Sequence, residues 1–249
     1  MMSYANSKNV GIINLFKMTR RKIMEQNQIV EILKHHNVSQ IYHADTVITS
    51  LSFLKAGGLC SRQYLDRNSL PKTSQYTDCD DQKFNVYNDL FFDSVDIHGR
   101  IRKPNYYGPV LFVFDLQMLL QENLANRIFI TKSNPCYWKP YLKCNDRYFT
   151  NLDELGKEFQ KGDFKQMITC HQVGFANFKY LQKIILDRPP EKHIELFRQA
   201  YQALFQGLQE ADLSVPLNIR KCEYCKCFNE YQNMGENNLM RLFATKGVF

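Results

Sequence analysis

Apolar residues recur along this chain at two different periods, and the switching between them predicts a mixed architecture. Over residues 26–37, "QNQIVEILKHHN", Ile29, Ile32 and Leu33 share a helical face and Asn37 reads as a stop. Residues 39–43 alternate as a strand does. Asp45 or Thr46 then caps a helix carrying Val47, Leu51 and Leu54 on one side, which ends where Gly57 and Gly58 supply a left-handed residue. The polar run 66–83 predicts an exposed loop. "KFNVYNDLFFDSVDIHGR" is aromatic and interrupted by acids; the unbroken apolar run 110–114 after it predicts a buried central strand. "NRIFITKSN", "KQMITCHQV" and "LQKIILD" predict further strands, the last stopped by Pro189 and Pro190, and 152–160 a short helix. The clearest helix spans 191–211, with Ile194, Phe197, Ala200, Tyr201, Leu204 and Leu208 on one face. The pattern is that of an α+β chain with its strands largely in the middle and its best helix near the C-terminus.

At 249 residues, 44% of them hydrophobic, the chain can bury one substantial core. We expect a flexible basic arm over 1–25, ending in "KMTRRK", and a single domain over 26–249 whose C-terminal part, about 212–249, is cysteine-rich. No window has the roughly 18 apolar residues of a membrane span, and "GIINLF" is too short for a signal peptide, so the expectation is a cytoplasmic protein without a membrane partner. Eight cysteines in such a chain read as reduced thiols or metal ligands rather than a disulfide framework. A net charge of +7 favours an anionic partner, nucleic acid among them, although basic proteins that bind none are common.

The Walker loop and the G-x-G-x-x-G, H-E-x-x-H and G-x-S-x-G signatures are absent. What remains is the ordered series "YHAD", "GGLCSR", "YGPVLFVFD" and "KQMITC", spread over roughly residues 39–190. This series resembles the DarT-type ADP-ribosyltransferases, in which an early strand carries a histidine, a turn of the G-L-x-S-x type lies near an arginine, and a later strand carries a catalytic glutamate. The resemblance implies a split, mostly antiparallel sheet with flanking helices. It also implies NAD as substrate and a toxin-like transfer of ADP-ribose to a nucleic-acid base, DNA or RNA, in a toxin–antitoxin or phage-defence setting with an antitoxin protein as a further partner. It casts His43 as a hydrogen-bonding partner of the ribose or the nicotinamide end and Arg62 as the pyrophosphate ligand. Tyr42 and Tyr64 become stacking partners, and Gly58 and Ser61 the turn that passes close to the nucleotide. Where the family has its glutamate, this chain has Gln166, which is neither a base nor an anion. The register is displaced, with Asp163 as the acid, or the chain is a non-catalytic binder, or a glutamate has been replaced to silence a toxic enzyme.

Three other groups invite chemistry. Asp93, Asp96 and His98 in "FFDSVDIHGR" can bind a metal or orient a substrate, or else cap turns or line the substrate side of a cleft. "NPCYWKPYLKCNDRYF" mixes Trp138 with Lys139, Lys143 and Arg147, a set that can stack on unpaired bases and track phosphate, or pack inward as an ordinary loop. Cys222, Cys225 and Cys227 have the spacing of a zinc knuckle, with Cys136 or Cys144 as candidates for the missing fourth ligand of a structural zinc; the plain alternative is three reduced thiols. The reading favoured is an NAD-dependent ADP-ribosyltransferase acting on an unpaired base. Its rivals are a non-catalytic nucleic-acid-binding module with a C-terminal zinc knuckle and a transferase that modifies protein.

Overall fold

The computed structural model describes residues 24–222 and 225–246, so the basic arm expected over 1–25 lies, but for its last two residues, outside the described residues. Among the described residues, nine strands form three small sheets. β1 (Gln40–Asp45), β4 (Val110–Asp115), β8 (Leu181–Arg188) and β9 (Leu217–Lys221) stand in the order β1-β4-β8-β9; β2 (Gly58–Cys60) pairs with β7 (Phe175–Asn177); and β3 (Leu90–Phe92), β6 (Ile168–Cys170) and β5 (Ile128–Ile130) form the third, in the order β3-β6-β5. Every ladder is antiparallel except β8–β9. The split, mostly antiparallel α+β architecture expected from the sequence is thus the one observed.

The run 110–114 is the central strand it was expected to be. Flanked by β1 and β8, it buries Val110, Phe112 and Phe114 on one face and Leu111 and Val113 on the other. Helices α1 (Gln26–His35) and α2 (Val47–Ala56) fall where their periodicity placed them. Gly57, at φ +75°, ends α2 in the left-handed conformation. The "exposed loop" of 66–83 is more ordered than its composition suggested: it begins in α3 (Arg62–Arg67) and ends in α4 (Asp78–Lys83). The first turn of α4 gathers Asp78, Asp80 and Asp81, and carboxylates there favour a helix by meeting the positive end of its dipole.

Beyond these lie α5 (Ile97–Ile101), α6 (Leu152–Glu158), α7 (Ile194–Glu210), α8 (Lys226–Asn233) and α9 (Glu236–Phe243). Phe197, Ala200, Leu204 and Leu208 of α7 are buried as the 3.6-residue period required, while Tyr201 is half-buried at the edge. One hydrophobic cluster runs from Ile29 in α1 to Phe243 in α9. The first and third sheets meet at a single bridge, where Tyr42 and Asp93 exchange two backbone hydrogen bonds of 3.0 and 2.9 Å. The candidate site lies beside that junction. Among the described residues no helix is long and apolar enough to cross a membrane.

Candidate functional site

Alternation in β1 sorts its side chains before anything else does. Ile41, His43 and Asp45 point to the main core side; Tyr42 and Ala44 point to the other, where they pack with Leu111, Val113 and Ile185. His43 rests against Phe53 and Phe92, with ring centroids 5.6 and 6.2 Å away. It shares a cavity with Asp45, Ser61, Arg62, Asp81, Asp93, Tyr107 and Cys136. Two groups expected to act together, His43 and Arg62, therefore converge.

Each is held at one end and left open at the other. His43 donates from Nδ1 to the carbonyl of Phe91 at 2.8 Å, which leaves Nε2 as a lone-pair acceptor, buried and without a hydrogen-bond partner. Burial pushes its pKa below the ordinary imidazole value, outweighing Asp45, whose Oδ2 lies 3.9 Å from Nε2. Ser61 caps α3 by accepting from the backbone N–H of Tyr64, so Arg62 sits at the first position of that helix. Its Nε and Nη2 donate to Asp78 at 2.9 and 2.8 Å, and Nη2 also to the carbonyl of Thr73 at 2.7 Å. Nη1 is buried and has no partner. Buried polar atoms are seldom left so, and two in one cavity suit a ligand offering a hydroxyl donor and an anionic acceptor.

The same cavity gathers carboxyls. Burial pushes both Asp93 and Asp81 up to about 7 and raises Asp45 against the opposing pull of Arg62 and His43. Burial likewise pushes the phenol of Tyr107 and the thiol of Cys136 up. The space accessible to water is about 90 Å³, well below the roughly 300–1,000 Å³ of a pocket that engulfs a whole ligand, so it suits one ring of a larger molecule. Three exposed tyrosines follow or precede lining residues in sequence: Tyr76 lies between Gln75 and Thr77, Tyr106 before Tyr107, and Tyr137 after Cys136. The rings of Tyr76 and Tyr106 meet edge to face at 5.7 Å.

Several residues singled out in the sequence lie elsewhere. Gln166 does not line the cavity: its Oε1 accepts from the backbone N–H of Gln160 at 2.7 Å and its Nε2 donates to the carbonyl of Glu158 at 3.0 Å, which closes the turn after α6. Asp163 belongs to the same turn, accepting from the backbone of Lys165. The cavity instead receives Met167, one residue on. Tyr42 is on the far face of β1, its hydroxyl bonded to Gln40. Tyr64 stacks on Phe175 at 5.5 Å, and Gly58 is required because a Cβ there would lie 2.4 Å from the carbonyl oxygen of Ala176 in β7. The glycine pair thus serves a helix end and a strand contact, and it is Cys60, Ser61 and Arg62 of that stretch that reach the cavity.

Trp138 is a core residue, 3% exposed, donating from its indole to the carbonyl of Ser133. The Arg147 guanidinium lies over its ring at 4.9 Å, so only Lys139 and Lys143 of that group are on the surface. His98 is buried and does not line the cavity; it is bonded through Nδ1 to Asp187 at 2.5 Å, with Nε2 3.8 Å from the Cys222 sulfur and 4.0 Å from that of Cys225. It, and neither Cys136 nor Cys144, stands beside the three C-terminal cysteines: Cys136 lines the cavity and Cys144 packs against the Val86–Trp138–Tyr148 cluster. Asp96 caps α5 and pairs with Arg220. The missed members were partly legible: Asp45 is two residues from His43 in one strand and so must share its face.

No protein-family model and no curated protein matches the sequence. Solved structures similar to the chain include Thermus sp. 2.9 DarT in complex with ADP-ribosylated ssDNA, at 13% identity and TM-score 0.47 over 74% of this chain and 95% of that one. The same protein in complex with NAD+ aligns at 12% identity and TM-score 0.47 over 74% and 96%, and in complex with carba-NAD+ at 11% and 0.46 over 76% and 98%.

Proposed function

We propose that this chain binds NAD as substrate and transfers its ADP-ribosyl group to an unpaired base of a nucleic acid. The observation that carries the reading is the convergence of His43 and Arg62 on one cavity, each with a buried nitrogen unpartnered. Nε2 of neutral His43 accepts a ribose hydroxyl, and Nη1 of Arg62 donates to the pyrophosphate, its other nitrogens braced by Asp78. The enclosed space takes the nicotinamide end, and the rest of the dinucleotide lies along the mouth. As the bond between ribose and nicotinamide breaks, positive charge grows on the ribose and nicotinamide leaves neutral. The acceptor base then bonds to the same ribose carbon and gives up its proton. Asp93 is the carboxyl assigned to both tasks: ionised, it opposes the growing charge and takes the proton. The exposed tyrosines beside the lining offer π faces to bases outside a duplex, and the charge of +7 favours the polyanion.

Met167 supports a second reading. An apolar side chain enters the cavity beside the position where the resemblance expects a glutamate, so a chain that binds NAD and nucleic acid without turnover is the competing function. Incubation with NAD labelled in its adenine moiety, together with single-stranded DNA, RNA, duplex DNA or protein lysate, separates them. Label on a single strand with release of nicotinamide is the expected result. Label on protein alone would contradict the acceptor, and binding without nicotinamide release would establish the non-catalytic reading. An antitoxin partner belongs to the same proposal and would show as a protein that blocks this labelling.

A further inference from the structure

Away from the cavity, four ligand-type side chains from three parts of the chain meet at one point. His98 comes from α5, Cys222 from the end of β9, and Cys225 and Cys227 from the start of α8; one donor atom of each lies within 4.8 Å of all the others. His98, Cys222 and Cys227 are buried and Cys225 half-buried. Cys225 and Cys227 are joined as a disulfide.

We infer that, in the reduced chain, His98, Cys222, Cys225 and Cys227 hold one tetrahedral zinc ion that fastens the C-terminal helices to the edge of the main sheet. With zinc–sulfur bonds of about 2.3 Å and zinc–nitrogen bonds of about 2.0–2.1 Å, a tetrahedron has sulfur–nitrogen edges of roughly 3.6 Å. Nε2 of His98 already stands 3.8 and 4.0 Å from the sulfurs of Cys222 and Cys225. The imidazole is also oriented as a ligand must be: Nδ1 bonds Asp187 Oδ2 at 2.5 Å, which fixes the tautomer that leaves the Nε2 lone pair free for a metal. Asp187 is itself anchored, accepting from the Tyr231 hydroxyl of α8 at 2.8 Å and lying 3.5 Å from Arg220 of β9. A carboxylate–imidazole pair aimed at three sulfurs is a ligand set with its supporting hydrogen bonds in place, and the soft donors select zinc over magnesium or calcium.

The disulfide and the metal are alternatives for the same sulfurs. A dithiol reductant supplies two electrons and two protons, leaving two thiols here and a disulfide on itself. Zinc then displaces three thiol protons, forming three zinc–sulfur bonds and one bond to neutral imidazole. Because the ligands join α5, β9 and α8, loading adds a tie to segments also linked by the Asp96–Arg220 and Lys103–Glu230 ion pairs and, through Asp187 of β8, by the Tyr231 hydroxyl and His98.

The full chain, expressed with zinc and purified with a dithiol present, is the material for the test. Metal analysis after desalting should give about one zinc per chain. Cobalt substitution should give the visible bands of a tetrahedral ion and the near-ultraviolet band of thiolate ligation. His98→Ala and Cys222→Ser should each lose most of the zinc, whereas Cys136→Ser should keep it. A reduced wild-type chain without bound zinc, or one whose cobalt form lacks the thiolate band, would overturn the inference whether or not the variants fold. Full stoichiometry in His98→Ala would overturn the assignment of the fourth ligand.

Discussion

Arg62 and His43 illustrate how a side chain is made ready by what it is not allowed to do. Asp78 takes two donors of the guanidinium and the Phe91 carbonyl takes the imidazole proton, so the remaining nitrogens face the cavity without a competing partner. Asp93 is prepared differently, by burial that holds its proton up to about pH 7. An unfolded chain would release that proton near 3.8, so between about pH 4 and about pH 7 the folded chain binds more protons than the unfolded one. This group's contribution to stability therefore falls as pH rises across that window and is constant beyond it. Asp93→Asn should gain stability relative to the wild type as pH rises from about 4 to about 8, read from urea midpoints at both ends. The same change should remove transfer activity, which in the wild type should rise through about pH 7 as Asp93 ionises. Gln166→Glu should leave activity unchanged, because that side chain closes a turn outside the cavity.

At the scale of elements, short backbone contacts set the geometry. Gly108, just before β4, approaches the end of β1 so closely that a Cβ would lie 2.1 Å from the carbonyl carbon and oxygen of Asp45 and 2.4 Å from the nitrogen of Thr46. These are backbone atoms, so the strand must move. Gly108→Ala should destabilise the chain by about 1–3 kcal/mol in urea unfolding and displace Asp45 from beside His43. The hydrophobic pattern disclosed the long elements, α1, α2, β4, β8 and α7, because each repeats its period over several residues. β2 and β7 have three residues each and escape any period; they exist because Gly58 lets Ala176 and Phe175 come close. Tyr42 was open to correction from the sequence, since the side chains of neighbours in a strand point to opposite faces. Trp138 was not, because its burial depends on Phe84 and Tyr148, 54 and 10 residues away, and on an arginine over its ring.

Across the whole molecule, the legible part of the site was the pair that brackets α2, His43 and Arg62. The illegible part was brought in by long connections: Asp93 through the bridge between sheets, Tyr107 on the way into β4, Cys136 from the segment after β5. The same distance hid His98, which lies 124 residues from Cys222 and 89 from Asp187. The molecule therefore has two separate centres, a cavity at the junction of two sheets with Arg62 and His43 on its wall and a thiol–imidazole cluster at the C-terminal edge. Calorimetric titration of NAD into the wild-type chain and into Arg62→Ala, with both shown folded by circular dichroism, tests the first most directly. Loss of a charge-assisted hydrogen bond of about 1.5–3 kcal/mol should weaken binding roughly ten- to hundredfold. Equal affinity in the two proteins, or no binding to the folded wild type, would contradict the cavity's assignment to the dinucleotide.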